Sequence, residues 1–102
     1  MSMLHTVNKS PLDKNSLSSC IAHAKEGSAI LLIEDGVYGA MDKTSASAEL
    51  KAAMKTIAVF ALKPDLDARG IGDNRLIDGI KTVDYAGFVD LTEKHNTVQS
   101  WL

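Results

Sequence analysis

Two short apolar runs restrict the fold of this chain more than any other feature. Residues 28–33 read SAILLI and residues 57–62 read IAVFAL, and polar residues follow the first run directly. Unbroken apolar runs of this length are typical of strands that are buried on both faces of a sheet. Segments with helical periodicity stand before, between and after the two runs. The pattern therefore predicts strands that alternate with helices.

Three further segments have the pattern of strands. Residues 4–7 form a short β-like run, which ends at a polar stretch that contains Pro11. Residues 80–83 form a shorter strand. Residues 97–102 are predicted to be the last strand and to lie at an edge of the sheet.

Four segments have the pattern of helices. The first is predicted over residues 13–25, and its apolar positions recur at the spacing of one helical face: Leu17, Cys20, Ile21 and Ala24. A second helix ends near Lys55. A third begins at Pro64, a residue suited to a first helical turn, and closes at Gly70. The fourth follows Asp84, a good N-cap, and its inner face is predicted from the same spacing: Tyr85, Phe88, Val89 and Thr92.

The predicted order of elements is βαβαβαβαβ. Strands that alternate with helices favour an α/β fold, a three-layer α/β/α sandwich with a five-stranded, mostly parallel sheet. The chain has 102 residues, near the commonest size of a domain, so we assign residues 1–102 to a single domain. A sandwich of this size is lean, and contacts with partner subunits would bury more of its surface.

Charge and composition exclude several classes of function. The net charge is -2 and no run of Lys or Arg forms a basic stripe, so we expect no direct nucleic acid binding. The apolar runs are too short to span a bilayer, and the first residues lack the apolar core of a signal peptide. A single cysteine forms no internal disulfide, which agrees with a reducing compartment. We therefore expect a cytoplasmic protein without membrane contact.

Cys20, the only cysteine of the chain, is the candidate catalytic residue. Its place on the apolar face of the first helix equally suits packing, because free cysteine is among the most often buried residue types. A reactive role requires a stabilised thiolate. His23, three residues further on, is a possible neighbour on the helix surface. Position alone leaves both roles open.

Glu34 and Asp35 are a second candidate group. They open the stretch EDGVYGA after the first apolar run, and ligands of open α/β sheets bind at the carboxyl ends of the strands. The two acids could serve acid–base chemistry or a small-ligand site, but Asp-Gly is also a common turn signal, and we favour the turn. The histidines and the cysteine lack metal-ligand spacing, and a lone GxG at Gly70 and Gly72 is weak evidence for a nucleotide. We expect no metal and no cofactor.

Five stretches in order along the chain resemble the DsrH/TusB family. They are residues 3–11 (MLHTVNKSP), 31–38 (LLIEDGVY), 65–70 (DLDARG), 83–95 (VDYAGFVDLTEKH) and 98–102 (VQSWL). The resemblance is greater to DsrH of sulfur-oxidising bacteria than to TusB of the tRNA-thiolation relay. Residues 8–20 (NKSPLDKNSLSSC) contribute to the greater resemblance to DsrH. They end in Cys20, and TusB-like chains often lack a cysteine at that position.

The resemblance implies an assembly as well as a small α/β/α fold. Family members act as one of three homologous subunits, beside DsrE-like and DsrF-like (or TusD-like and TusC-like) partners, in a heterohexamer with two copies of each. The complex passes sulfane sulfur as a cysteine persulfide and needs no cofactor or metal. A DsrC/TusE-like sulfur carrier protein is the expected acceptor or donor.

The resemblance also bears on the role of Cys20. It places the principal active cysteine on the DsrE/TusD-type partner and makes the cysteine that matches Cys20 a candidate second sulfur site. Its thiolate would attack the outer sulfur of a donor persulfide and then pass that sulfur to an acceptor thiolate. The resulting prediction is a subunit of a sulfurtransferase complex for intracellular sulfur oxidation.

Three alternatives stay open. The first is a TusB-like subunit of the relay for tRNA wobble uridine 2-thiolation. The second is a structural subunit in which Cys20 only packs. The third, more distant, is a small-ligand or nucleotide module at the EDGVYGA stretch.

Overall fold

The computed structural model describes residues 3–102. Its strands are β1 (Met3–Val7), β2 (Ala29–Leu32), β3 (Ala58–Leu62), β4 (Lys81–Val83) and β5 (Thr97–Trp101). They form a five-stranded sheet in the order β4-β3-β2-β1-β5. All neighbouring strands are parallel. The predicted α/β fold is thereby confirmed, and β5 lies at an edge as predicted.

Helices connect the strands and cover both faces of the sheet. They are α1 (Ser16–His23), α2 (Ser47–Ala53), α3 (Lys63–Ala68) and α4 (Tyr85–Lys94), with short 3₁₀ helices at Glu34–Ala40 and Asp73–Arg75. The chain moves from β1 to β4 in one direction and then returns past β1 to β5. Because crossovers between parallel strands are right-handed, this order places α1, α2 and α3 on one face and α4 on the other.

Two apolar clusters confirm the three layers. The larger cluster contains side chains from all three helices on its face: Leu17, Cys20, Leu50 and Leu66. The smaller cluster contains Leu91 of α4 together with Leu4, Ala29 and Leu31 of the strands. Side chains of one strand alternate between the two faces, so each central strand contributes to both clusters.

The first helix is shorter than predicted. α1 begins at Ser16 and ends at His23, inside the predicted bounds. A separate turn precedes it, in which the carbonyl of Ser10 accepts hydrogen bonds from the amides of Asp13 and Lys14. Helical periodicity does not distinguish such a turn from the first turn of a helix.

Two other helix boundaries follow the sequence signals. Asp84 caps α4, since its Oδ1 accepts a hydrogen bond of 2.8 Å from the amide of Gly87. Pro64 lies in the first turn of α3. Gly70 follows the end of α3 with φ +68°, a conformation that glycine adopts without steric cost.

The predicted inner face of α4 is wrong in part. Tyr85 and Val89 are 61% and 55% exposed, whereas Leu91 is buried and Phe88 packs beside it on the smaller cluster. The helix carries two apolar stripes. Their spacing identifies each stripe but does not indicate which one faces the sheet.

Candidate functional site

Cys20 lies in the second half of α1 and points into the larger apolar cluster. Its side chain is 0% exposed, and the same cluster contains Val7, Leu17 and Ile30. Burial raises the pKa of the Cys20 thiol to about 12. At pH 7 such a thiol is ionised in roughly one molecule in 10⁵. Since the thiolate is the nucleophile in sulfur exchange, Cys20 is neither accessible nor activated in this conformation.

His23 does not activate the Cys20 thiol. Its Nδ1 donates a hydrogen bond of 2.9 Å to the carbonyl of Ser19. Its ring packs at 5.4 Å, centroid to centroid, from the indole of Trp101. Desolvation is the cause of the raised pKa of Cys20. His23 is therefore close to Cys20 in the sequence but does not lower the pKa of the Cys20 thiol.

The stretch EDGVYGA fills the edge of the sheet at the carboxyl end of β1 and β2. It forms the 3₁₀ helix Glu34–Ala40, in which Val37 and Ala40 are fully buried. Gly36 lies so close to β1 that a Cβ atom would collide with the carbonyl oxygen of Val7. Strand β2 ends at Leu32, and Glu34 and Asp35 are exposed, so the interpretation of this stretch as a strand-ending turn with acids that face water is confirmed.

The side chain of Asp35 and the backbone amide of Glu34 fasten this stretch to α3 and its C-cap, Arg69. Asp35 Oδ1 accepts hydrogen bonds of 3.0 and 2.9 Å from Nε and Nη2 of Arg69. The amide of Glu34 donates a hydrogen bond of 2.7 Å to Asp65 Oδ2, and Glu34 adopts φ +50°. Asp35 therefore forms a salt bridge on the surface and has a structural partner. Sequence inspection offers no signal for this contact, because Arg69 lies on a different element.

A group that the sequence analysis did not predict joins β1, β5 and α1. The indole Nε1 of Trp101 donates a hydrogen bond of 3.1 Å to Nδ1 of His5, which is only 3% exposed. His23 packs on the same indole. Burial lowers the pKa of His5, and the nearby His23 lowers it further. These side chains meet only because the register of the sheet pairs β5 with β1.

Residues 3–102 contain neither a cluster of metal-binding side chains nor a helix that could span a membrane. In this part of the chain, no three His, Cys, Asp or Glu side chains form a group that could hold a metal ion. The longest described helix, α4, has 10 residues, whereas about 20 are needed to cross a bilayer. No helix between residues 3 and 102 is long and apolar enough to do so.

Comparison with known proteins identifies the family. A family model described as DsrH like protein matches residues 9–98. Protein TusB from Escherichia coli O81 (strain ED1a) is 37% identical over 99 residues, which cover 97% of this chain and 100% of the relative. Protein TusB from Salmonella dublin is 43% identical over 77 residues, covering 76% of this chain and 78% of the relative. The chain therefore belongs to the DsrH-like family.

Family membership confirms the resemblance found in the sequence. It supports a subunit of a sulfur-relay complex that acts together with partner subunits. It leaves the pathway and the role of Cys20 to further argument.

Solved structures share the fold at low sequence identity. The crystal structure of the ychN protein from E. coli matches with a TM-score of 0.79 and 18% identity, covering 98% of both chains. A protein of unknown function from Methanobacterium thermoautotrophicum matches with a TM-score of 0.73 and 14% identity, covering 96% of this chain and 97% of the other. These likenesses establish the fold alone.

Proposed function

We propose that this chain is a subunit of a cytoplasmic sulfur-relay complex that handles cysteine persulfide sulfur. The match to the DsrH-like family across residues 9–98 carries this proposal. The partners are homologous DsrE-like and DsrF-like (TusD-like and TusC-like) chains in a heterohexamer, and a DsrC/TusE-like protein carries sulfur to or from the complex. This set of partner proteins is what the family resemblance implies.

The surface of α4 supports a subunit role. Tyr85 and Val89, one helical turn apart, are both more than half exposed. Beneath them, the smaller apolar cluster receives its helical side chains from α4 only, among the residues described here. Aromatic residues on such a surface are enriched where protein chains pack together. We therefore place a partner contact on the exposed face of α4.

Within the complex, we propose that Cys20 packs the core and that a partner subunit carries the persulfide. The full burial of Cys20 and its raised pKa support this role. Transfer through Cys20 would require α1 to leave the sheet before a donor persulfide could reach the sulfur. The resemblance places the principal active cysteine on the DsrE/TusD-type chain. Sulfur transfer through that cysteine does not require α1 of this subunit to move.

Reconstitution tests this division of roles. The three subunits are assembled, loaded with a persulfide donor and mixed with the DsrC/TusE-like carrier, and sulfur on the carrier is followed by mass spectrometry. We expect the Cys20→Ala complex to transfer sulfur like the wild type, and a complex lacking this chain to fail. Ser19→Ala, an exposed neighbour on the same helix, is the matched control. Complete loss of transfer in a correctly assembled Cys20→Ala complex would contradict the proposal.

We assign the relay to intracellular sulfur oxidation. The resemblance of residues 8–20 (NKSPLDKNSLSSC) to the DsrH side of the family supports this pathway. A second candidate is tRNA wobble uridine 2-thiolation, and the full-length similarity to E. coli proteins named TusB favours it. Deleting the gene separates the two. We expect sulfur oxidation to stop while 2-thiouridine in tRNA is unchanged, and the reverse result would assign the chain to the TusB pathway.

A further inference from the structure

Strand β5 is an exposed edge strand that pairs along its whole length with one neighbour, β1. Its first four residues are exposed, and Trp101 at its end is partly buried. Trp101 packs against the larger apolar cluster. It also bonds through Nε1 to Nδ1 of His5, so His5 and Trp101 tie the end of β5 to β1. On the other side, Thr6 Oγ1 donates a hydrogen bond of 3.3 Å to Ser100 Oγ.

The bond between Trp101 and His5 depends on the protonation state of His5. An indole N–H only donates hydrogen bonds, so Nδ1 of His5 has to be the unprotonated nitrogen of the ring. A second proton would turn Nδ1 into a donor that faces another donor. Protonation of His5 therefore breaks this hydrogen bond and places a charge at a position that is 3% exposed.

His23 adds to the cost of charging His5. The rings of both histidines contact the same indole, with centroid distances of 6.1 Å for His5 and 5.4 Å for His23. Two imidazolium groups at either side of one ring repel each other. The indole thus contacts both histidine rings.

We propose that His5, Trp101 and His23 form a pH-sensitive clamp that fastens the edge strand β5 to β1 and opens when His5 takes up a proton. Apart from His5 itself, strands β1, β2 and β5 contain no titratable side chain. From α1, the titratable side chains are His23 and Cys20, and Cys20 stays neutral because burial raises its pKa to about 12.

The direction of the pH dependence follows from the pKa of His5. Burial and His23 lower that pKa below 6.5 in the folded protein, so the opened state binds the proton more tightly than the closed state does. The clamp is fully closed above pH 6.5 and loosens as the pH falls below that value. A single proton changes the equilibrium between closed and open clamp by at most about tenfold per pH unit.

Trp101 is the only tryptophan of the chain, so tryptophan fluorescence reports on the surroundings of this one indole. The experiment titrates the folded protein from about pH 8 to about pH 5, the range in which histidine changes charge. It records the emission of Trp101 and the NMR signal of its indole N–H, with circular dichroism to verify that the helices persist. We expect a transition in both signals with a midpoint below pH 6.5.

His5→Asn is the decisive variant, because the Asn side-chain oxygen accepts the indole hydrogen bond and does not titrate. We expect the transition to disappear in His5→Asn and to persist in His95→Asn, a matched control at the residue that follows α4. His23→Gln is expected to shift the midpoint upward, since it removes the repulsion. A constant indole signal in the wild type, or an unchanged transition in His5→Asn, would overturn the proposal.

Hydrogen exchange measures the strand itself. The protection factors of the β5 amides, corrected for the intrinsic pH dependence of exchange, are expected to fall by up to about tenfold per pH unit below pH 6.5. Those of β3, in the centre of the sheet, stay constant over the same range. Equal loss of protection in both strands would indicate global unfolding and would contradict a local clamp.

Discussion

Gly36 provides the sharpest test of how the Glu34–Ala40 stretch closes the sheet. It is buried, and a Cβ atom at this position would collide with the carbonyl oxygen and carbon of Val7. The same carbonyl accepts a hydrogen bond of 3.0 Å from the amide of Ile33, so it is fixed at the end of β1. In Gly36→Ala, either the stretch or β1 has to move.

The expected loss of stability follows from two opposing terms. Overpacking costs about 1–3 kcal/mol, and the upper end of this range, about 3 kcal/mol, applies here because the obstacle is the backbone of Val7 and not a flexible side chain. Replacing glycine by alanine returns about 0.4–1 kcal/mol by restricting the unfolded chain. We therefore expect Gly36→Ala to lower the free energy of unfolding by about 2–3 kcal/mol. For a domain of about 100 residues this corresponds to a decrease in Tm of about 8–15 °C.

Urea and thermal denaturation followed by circular dichroism measure this difference. Gly72→Ala is the matched control, since Gly72 has φ -82° and the nearest atom to its Cβ position is the side-chain oxygen of Asn74 at 2.9 Å. We expect Gly72→Ala to stay within about 1 kcal/mol of the wild type. If Gly36→Ala and Gly72→Ala have the same free energy of unfolding and the same Tm, the close packing of this stretch against β1 is refuted.

Three other substitutions test separate parts of the structure by the same denaturation measurements. Cys20→Ser puts a hydroxyl into an apolar cluster and is expected to lower the free energy of unfolding by about 1–3 kcal/mol; an unchanged value would indicate an exposed side chain. Asp84→Ala removes the N-cap of α4 at a cost of about 1 kcal/mol, whereas Asp90→Ala, later in the same helix, is expected to cost less, and equal costs would argue against the cap. The double variant Tyr85→Ser and Val89→Ser is expected to keep the free energy of unfolding of the isolated chain within about 1 kcal/mol of the wild type. It is also expected to reduce co-purification with the DsrE-like and DsrF-like chains. Undiminished co-purification would show that this face of α4 is not part of the interface.

Local signals in the sequence predicted most of the fold. The apolar runs at residues 28–33 and 57–62 contain β2, which is buried along its whole length, and β3, in which Val59, Ala61 and Leu62 are buried. Asp84 and Pro64 act at helix starts as predicted, because capping and the fixed φ of proline depend on residues nearby in the chain. Alternation of such elements was sufficient to predict a parallel sheet.

Local signals in the sequence did not predict the contacts between distant segments. The exposure of Tyr85 depends on how α4 rotates against the sheet, and periodicity does not define that angle. The pair of Asp35 and Arg69 and the pair of His5 and Trp101 each join different elements. The spacing of Leu17, Cys20 and Ile21 predicted the inner face of α1. It did not predict that Cys20 would be completely enclosed, because enclosure depends on the side chains of three helices and the sheet together.

Intact-mass spectrometry of every chain in the assembled complex, after loading with a persulfide donor, tests the central claim most directly. We expect a partner subunit to gain the mass of sulfur, because the proposal places the persulfide there. We expect this chain to keep its own mass, because Cys20 is fully buried with a raised pKa. One added sulfur atom on this chain, absent in Cys20→Ala, would show that Cys20 opens in the complex and carries sulfur, and it would contradict the packing role.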